Sequence, residues 1–106
     1  MPYKPTQQMR DAARVALEYN DNASPSQRWG TPVGRRRARK IVDNGEFGKA
    51  EITDMFSFLS RFKKQYDTQR QAKKYGKAYY AYIGWGGPSG LTWAKDKLER
   101  YERAGE

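Results

Sequence analysis

Residues 49–66 read KAEITDMFSFLSRFKKQY and form the most clearly patterned segment of the chain. Large apolar side chains recur in this segment every three to four residues, which is the spacing of an α-helix with one buried face. These side chains are Ile52, Met55, Phe56, Leu59, Phe62 and Tyr66. Acids near the start of the segment and bases near its end suit the helix dipole. We therefore predict a core helix over residues 49–66.

The segments on either side of this helix also have helical signals. Thr31-Pro32 is a typical helix start, with a capping hydroxyl followed by proline at the first helical position, and Asn44-Gly45 ends that helix. We expect a first helix from Thr6 to about Asn20 and a last helix from about Leu91 to Arg103. The helix of residues 31–44 and the core helix then form a central pair that resembles a helix-turn-helix in the loose sense.

The remaining segments are less regular. Residues 78–85 would suit a strand or a helix, and we predict a short helix because a lone strand has nothing to pair with. Residues 67–77 are polar and basic, so they are either a helical extension or a loop. Residues 86–90 are a predicted turn, and residues 1–5 a tail. We predict an all-α fold, a compact single domain of four to five short helices over residues 1–106.

Composition limits the class of protein. Three Trp, eight Tyr and four Phe argue against a disordered basic chain, which would be poor in aromatics. No apolar stretch approaches the length of a membrane span, and the N-terminal residues lack the apolar run of a signal peptide. The chain has no Cys, which fits a reducing compartment. We expect a cytosolic protein with no membrane partner.

The net charge of +9 is concentrated in two short blocks. Residues 35–40 contain five cations and no acid, and residues 61–77 contain seven Lys/Arg against the single acid Asp67. The rest of the chain is slightly acidic. Two focused basic patches on a small domain favour a polyanionic partner, of which nucleic acid is the commonest.

In the first block, a helical projection separates two faces. Four cations project together, and they are Arg35, Arg36, Arg39 and Lys40. Arg37 falls at the edge of the apolar side, near Val33, so we expect it to be partly packed. The alternative is a solvated face that only maintains solubility. The other helix of the central pair begins with acids, which favours phosphate contacts over base reading.

The second block leads into a run of aromatic residues. Cations interleaved with aromatic rings are typical of single-strand binding, where charge contacts the backbone and rings stack on bases. The candidate residues are Lys73, Lys74, Lys77, Tyr75 and Tyr79. The alternative is that the rings complete the core, which we favour for Tyr80, Ile83, Trp85 and Trp93.

Enzymatic chemistry has little support in the sequence. With no His and no Cys, the common zinc ligand sets and His-based catalysis are excluded. Four acids, Asp43, Glu46, Glu51 and Asp54, could in principle collect a metal for phosphodiester cleavage, but acids near a helix start are routine. We expect no enzyme activity and no cofactor.

Two boxes carry a resemblance to a known family. The string GTPVGRRRAR of residues 30–39 resembles a G-T-x-V-G-x-x-R-A-R box, and WGGPSGLTWA of residues 85–94 resembles W-G-G-x-x-G-x-x-W-A. Together they are similar to a small domain found in tailed-phage and prophage genomes, often near head-morphogenesis genes. The resemblance implies a phage-encoded protein that acts in the host cytoplasm or in the virion.

Two functions remain open. In the first, the protein is a non-enzymatic nucleic-acid-binding protein that contacts backbone phosphates with low sequence specificity, with DNA favoured over RNA. In the second, it is a phage head-associated structural protein, or a factor that binds a host protein, and its basic patches dock on acidic surfaces. If the first function is right, the binding affinity should fall steeply with salt. If the second is right, binding should depend on apolar contacts with one partner.

Overall fold

The computed structural model describes residues 1–106, and its regular elements are helices. The α-helices are α1 (Gln7–Asn22), α2 (Pro32–Val42), α3 (Lys49–Arg61), α4 (Lys63–Ala72), α5 (Lys77–Gly84) and α6 (Gly87–Arg103), with a short 3₁₀ helix at Pro25–Gln27. There is no strand, and the one isolated β-bridge joins Tyr3 to Phe47. The all-α prediction is confirmed, with six α-helices in place of four to five. None of these helices has the length and apolar character needed to cross a bilayer.

The predicted helix starts at Thr6 and Thr31 are confirmed by their capping bonds. The Thr6 hydroxyl accepts a hydrogen bond from the Met9 amide at 3.2 Å, and the Thr31 hydroxyl accepts one from the Gly34 amide at 3.1 Å. Each bond satisfies an amide that has no partner within its helix. These starts could be predicted because the signal is local to a few residues.

The predicted helix over residues 49–66 is in fact two helices with a kink at Phe62. Phe62 has φ −100° and ψ 7°, outside the helical values, although its amide still donates to the Phe58 carbonyl at 3.1 Å. Beyond it, α4 continues to Ala72, so residues 67–72 are helical and residues 73–76 form a turn into α5. The apolar period is the same on both sides of Phe62, so the pattern could not reveal the kink.

Two further segments differ from the prediction. Residues 87–90, predicted as a turn, form the first turn of α6, and Gly86 takes the left-handed conformation at its cap (φ 112°). Residues 1–5, predicted as a tail, are packed on the body of the protein. Tyr3 exchanges two backbone hydrogen bonds with Phe47, at 2.8 and 2.9 Å, and the Lys4 carbonyl accepts from Trp93 Nε1 at 3.0 Å.

The core is formed by two sets of helices that meet around α1 and α5. The most extensive contacts join α3 to α6, while α1 packs on both α2 and α5. The central pair that we expected is therefore not the main packing unit, since α2 and α3 each bury their apolar face against another helix. Between α2 and α3 the contacts are polar and involve Arg37, Lys40 and Glu51. The largest fully buried side chains are Trp29, Tyr82, Phe47, Met9, Ile41, Ile52, Met55 and Leu59.

Candidate functional site

Three arginines of α2 face the C-terminal end of α1 rather than α3. Arg35, Arg36 and Arg39 line a groove of about 360 Å³ together with Leu17, Asn20, Asp21 and Pro32. None of the three forms an ion pair. The cations of α2 that do form ion pairs are Arg37 and Lys40. The predicted basic face therefore exists, and three of its four residues are free of carboxylate partners.

A second groove of about 550 Å³ adjoins the first and shares Asn20, Asp21 and Arg35 with it. Its additional wall includes Arg28, which sequence reasoning did not select. We call the combined surface the arginine groove and define it by Arg28, Arg35, Arg36 and Arg39. Asp21 is the only acid that lines it.

Two of these guanidinium groups are held by backbone carbonyls. Arg28 Nε donates to the carbonyls of Asn20 and Ala23, at 3.1 and 3.2 Å, and Arg35 Nη1 donates to the Gly30 carbonyl at 2.7 Å. A guanidinium has five N–H donors, so both residues keep donors for a ligand. Because the carbonyls carry no net charge, they position the side chains without neutralising them. The groove thus offers fixed, unneutralised positive charge.

The loop that presents Arg28 is anchored by Trp29. This side chain is fully buried, and its Nε1 donates to the Ala16 carbonyl at 2.8 Å. The buried Asn20 side chain bonds both the amide and the carbonyl of Trp29, at 3.0 and 3.1 Å. The sequence of this loop is rich in Asn, Ser, Pro and Gly, so it reads as a loop. The one feature of its sequence that indicated a buried side chain was the large aromatic residue Trp29.

The two sequence boxes meet at this anchor. A Cβ at Gly34, in the first box, would lie 3.1 Å from Trp85 Nε1, and a Cβ at Gly84, just before the second box, would lie 2.5 Å from Trp29 Cη2. Both glycines therefore allow an indole ring to approach a helix backbone. The boxes are structural at these positions, because they bring α2 and α5 together beneath the arginine groove.

Arg37 and Lys40 do not belong to the groove. The Arg37 side chain is 13% exposed, donates to the Glu51 carbonyl at 3.1 Å and lies over the Trp85 ring at 5.2 Å, which confirms that it is packed. Lys40 was predicted to project with the groove arginines of α2 from the same basic face, but its charge is engaged by an acid of α3. Its ammonium is 2.9 Å from the Glu51 carboxylate and lies over the Phe47 ring at 4.6 Å.

Glu51 explains why Lys40 is not free. Burial of this carboxyl would raise its pKa, but the hydrogen bonds from Lys40 and the Gly48 amide and the nearby charges of Lys40 and Arg37 hold the pKa below its ordinary value. Glu51 also belongs to the capping box at the start of α3. Glu51 is therefore an anion in a fixed position, and it pairs with Lys40, one of the predicted phosphate-binding cations.

The second basic block forms the turn between α4 and α5. Lys73, Lys74 and Lys77 are exposed and have no ion pair, whereas Lys63 pairs with Asp67 at 2.7 Å. We call residues 73–77 the lysine turn. Lys73 takes the left-handed conformation (φ 55°) that reverses the chain at the end of α4.

Gln69 holds the lysine turn in place. Its side-chain oxygen accepts hydrogen bonds from the amides of Gly76 and Tyr79, both at 3.1 Å, and its carbonyl accepts one from the Lys74 amide at 3.0 Å. Gly76 is the N-cap residue of α5 and has no side chain to do this. Gln69 therefore caps α5 from a neighbouring helix, which sequence reasoning did not detect.

The tyrosines beside the turn form a continuous series of ring contacts that leads into the core. Tyr75 is 46% exposed, and its ring is tilted by 48° to that of Tyr79 at a centroid distance of 4.5 Å. Tyr79 is half-buried and stacks on the buried Tyr66 at 5.3 Å, and Tyr66 stacks on Tyr82 at 4.4 Å. Burial raises the pKa of Tyr66 and Tyr79, and raises the pKa of Tyr82 to about 12. Tyr75 is thus exposed as expected, whereas Tyr79 is mainly the support beneath it.

The residues predicted to complete the core do so to different degrees. Ile83 and Trp93 are buried, while Tyr80 and Trp85 are half-buried at the edge of the core. Tyr80 stacks on Tyr19 of α1 with a centroid distance of 3.8 Å. The prediction that these four side chains belong to the core is therefore correct for Ile83 and Trp93 and partly correct for Tyr80 and Trp85.

The anchor of the arginine groove and the cap of the lysine turn contact opposite ends of α5. Trp29, which anchors the groove, packs on Gly84 at the end of α5, whereas Gln69 binds the amides at its start. Helix α5 has eight residues, so its ends are roughly 12 Å apart at a rise of 1.5 Å per residue.

The acids considered for a metal site are not gathered into one. Glu51 is paired with Lys40, and Asp54 lies 3.9 Å from Arg37. No group of three or more carboxylates is placed to hold a metal ion. Comparisons with protein-family models, with curated proteins and with solved structures give no match.

Proposed function

We propose that the protein binds nucleic acid through its backbone phosphates, and that the arginine groove is the main contact. The observation that supports this most strongly is the convergence of Arg28, Arg35, Arg36 and Arg39 on adjoining grooves with no ion-pair partner. Guanidinium groups match the geometry of phosphate oxygens and can bind them in a bidentate manner. Because backbone carbonyls hold two of these groups, less side-chain freedom is lost on binding.

Low sequence specificity follows from the helices that carry the charge. Long cations on α2 are suited to phosphates, which carry no sequence information of their own. In the first turn of α3, the second helix of the predicted pair, Glu51 contacts Lys40 and Arg37. We therefore propose contact with the backbone and not a recognition helix in a groove of the duplex.

The proposed role is non-enzymatic and fits a phage-encoded protein. The resemblance of the two boxes to a domain of tailed-phage genomes favours DNA as the ligand, in the host cytoplasm or the virion. The alternative, a head-associated or host-binding protein that docks on an acidic protein surface, would use the same cations. Binding of DNA in the absence of any other protein separates the two.

The test is fluorescence anisotropy with short labelled DNA, from about 50 to 200 mM salt. The variant Arg35→Gln/Arg36→Gln/Arg39→Gln removes three charges from the groove. A control variant, Lys4→Gln/Lys95→Gln/Arg103→Gln, removes three exposed cations that have no ion pair and lie elsewhere. Both variants have the same net charge, so any difference between them reports the position of the charge.

We expect the groove variant to bind weakly and to lose about one unit of the log–log salt slope per phosphate contact removed. The control should stay close to the wild type. Equal weakening of both variants would show that only total charge matters. Absence of binding by the wild type at about 50 mM salt, where phosphate contacts are strongest, would overturn the proposal in favour of a protein partner.

A further inference from the structure

The lysine turn combines exposed positive charge with an exposed aromatic ring. Lys73, Lys74 and Lys77 have no ion-pair partner, and the nearest acid in the sequence, Asp67, is engaged by Lys63. Tyr75 lies between these lysines in the sequence, and nearly half of its side chain is exposed. Tyr75 is therefore the most exposed ring of this cluster, and it lies among unpaired cations.

The turn is held in one conformation before any ligand binds. Gln69 bonds three amides of the segment that follows it, those of Lys74, Gly76 and Tyr79. Tyr79, which supports the Tyr75 ring, is itself fixed by its stacking on the buried Tyr66. The exposed ring therefore rests against a ring that is stacked on the core, and it is not a side chain on a free loop.

We propose that Tyr75 stacks on an unpaired base and that the lysine turn makes the protein prefer single-stranded nucleic acid. The inference rests on the proposed function, because the arginine groove supplies the main phosphate contacts. Aromatic stacking is available to the bases of a single strand, whereas the bases of a duplex are already stacked and paired. The three lysines would hold the phosphates on either side of the stacked base.

Helix α5 connects the supports of the two sites. Trp29, the anchor of the groove, and Gln69, the cap of the turn, contact opposite ends of this eight-residue helix, roughly 12 Å apart along its axis. A strand of about 12 nucleotides, within the range of 4–16 that single-strand-binding folds cover, is long enough to reach both. The lysine turn then adds affinity to a strand that the groove already holds.

The experiment measures the affinity of the wild type, Tyr75→Ala and Tyr75→Phe for oligothymidylate of about 12 nucleotides and for a duplex of the same length. We expect Tyr75→Ala to weaken single-strand binding by roughly 5-fold to 150-fold, the range for loss of one stacked base, with little change for the duplex. Tyr75→Phe keeps the ring and should retain the wild-type preference. Because Tyr75 is exposed, its substitution should leave the thermal unfolding temperature nearly unchanged, which checks the fold.

The outcomes separate this inference from the proposed function. If Tyr75→Ala binds both ligands as the wild type does, or weakens both equally, the stacking role is wrong while phosphate binding at the groove can still hold. If the wild type binds neither ligand at low salt, both proposals fall. A lysine variant, Lys73→Gln/Lys74→Gln, should lower the salt slope for the single strand, and an unchanged slope would exclude the turn as a phosphate contact.

Discussion

Substitution of Gly84 by alanine tests the anchor that positions the arginine groove. The added Cβ would lie 2.5 Å from Cη2 and 2.8 Å from Cζ2 of Trp29, closer than real contacts allow. The ring has no room to move, because it is fully buried and bonded to the Ala16 carbonyl. Forcing a methyl group into such a site costs about 1–3 kcal/mol. The better helix propensity of alanine returns up to about 1 kcal/mol.

Because an approach of 2.5 Å puts the cost in the upper part of that range, the net loss in the free energy of unfolding should be about 1–2 kcal/mol. For a domain of this size each kcal/mol lowers the melting temperature by roughly 4–8 °C, so we expect a decrease of roughly 4–16 °C. Urea unfolding of the same variant gives the free energy directly, provided that the slope with urea is unchanged.

The matched control is the same substitution in a Trp29→Phe background. Phenylalanine lacks the distal ring atoms that a Cβ at Gly84 would meet. In this background Gly84→Ala should therefore be neutral or stabilising by up to about 1 kcal/mol. The double-mutant cycle should give a coupling of about 1–3 kcal/mol between the two positions. An equal cost in both backgrounds, or no cost in the presence of Trp29, would show that the close approach of helix and indole is not a constraint.

Three further measurements address other features. Asp21→Asn removes the only acid of the arginine groove and should tighten DNA binding roughly threefold, the effect of one charge at about 6 Å in water; an unchanged Kd would contradict this. Gln69→Ala removes the acceptor of the Gly76 and Tyr79 amides, so their hydrogen exchange should accelerate, with a local cost of about 0.5–2 kcal/mol typical of a lost cap; unaltered exchange would argue against the cap. Because burial raises the pKa of Tyr82 to about 12 from 10, its contribution to stability is complete below pH 10 and is lost as the pH rises toward 12. Tyr82→Phe should flatten that alkaline loss in unfolding experiments, and an identical pH profile would refute it.

The parts of the fold that the sequence predicted are those with local causes. The caps at Thr6 and Thr31 depend only on a hydroxyl and the amides of the next turn, so they were predicted correctly. The kink at Phe62 has no such local cause. The helix beyond it carries Tyr66, which stacks on Tyr79 and Tyr82, and both lie more than a dozen positions from Tyr66 in the sequence. Apolar periodicity records which face is buried and not the partner against which it is buried.

The residues of the candidate site show the same difference between local causes, which could be predicted, and distant ones, which could not. Helical projection correctly separated Arg37 from Arg35, Arg36 and Arg39, because it needs only the geometry of one helix. It could not show that Lys40 is paired, because its partner Glu51 comes from the next helix across a turn. Arg28 was missed because its position depends on a buried indole and a buried amide, and no local pattern in a polar loop reports either.

The kink at Phe62 also divides the molecule into parts of unequal cooperativity. Helix α4 contributes one residue, Tyr66, to the buried core, and otherwise is held by the Gln69 bonds to the lysine turn. Opening of α4 would expose Tyr66 and break the Gln69 bonds but leave the helices around Trp29 in place, so it should require less free energy than global unfolding. Trypsin, which cleaves after lysine and arginine, would then meet its first susceptible bonds between Arg70 and Lys77 in an otherwise intact protein. Rates of limited proteolysis there would report local opening, independently of the stability of the helices around Trp29.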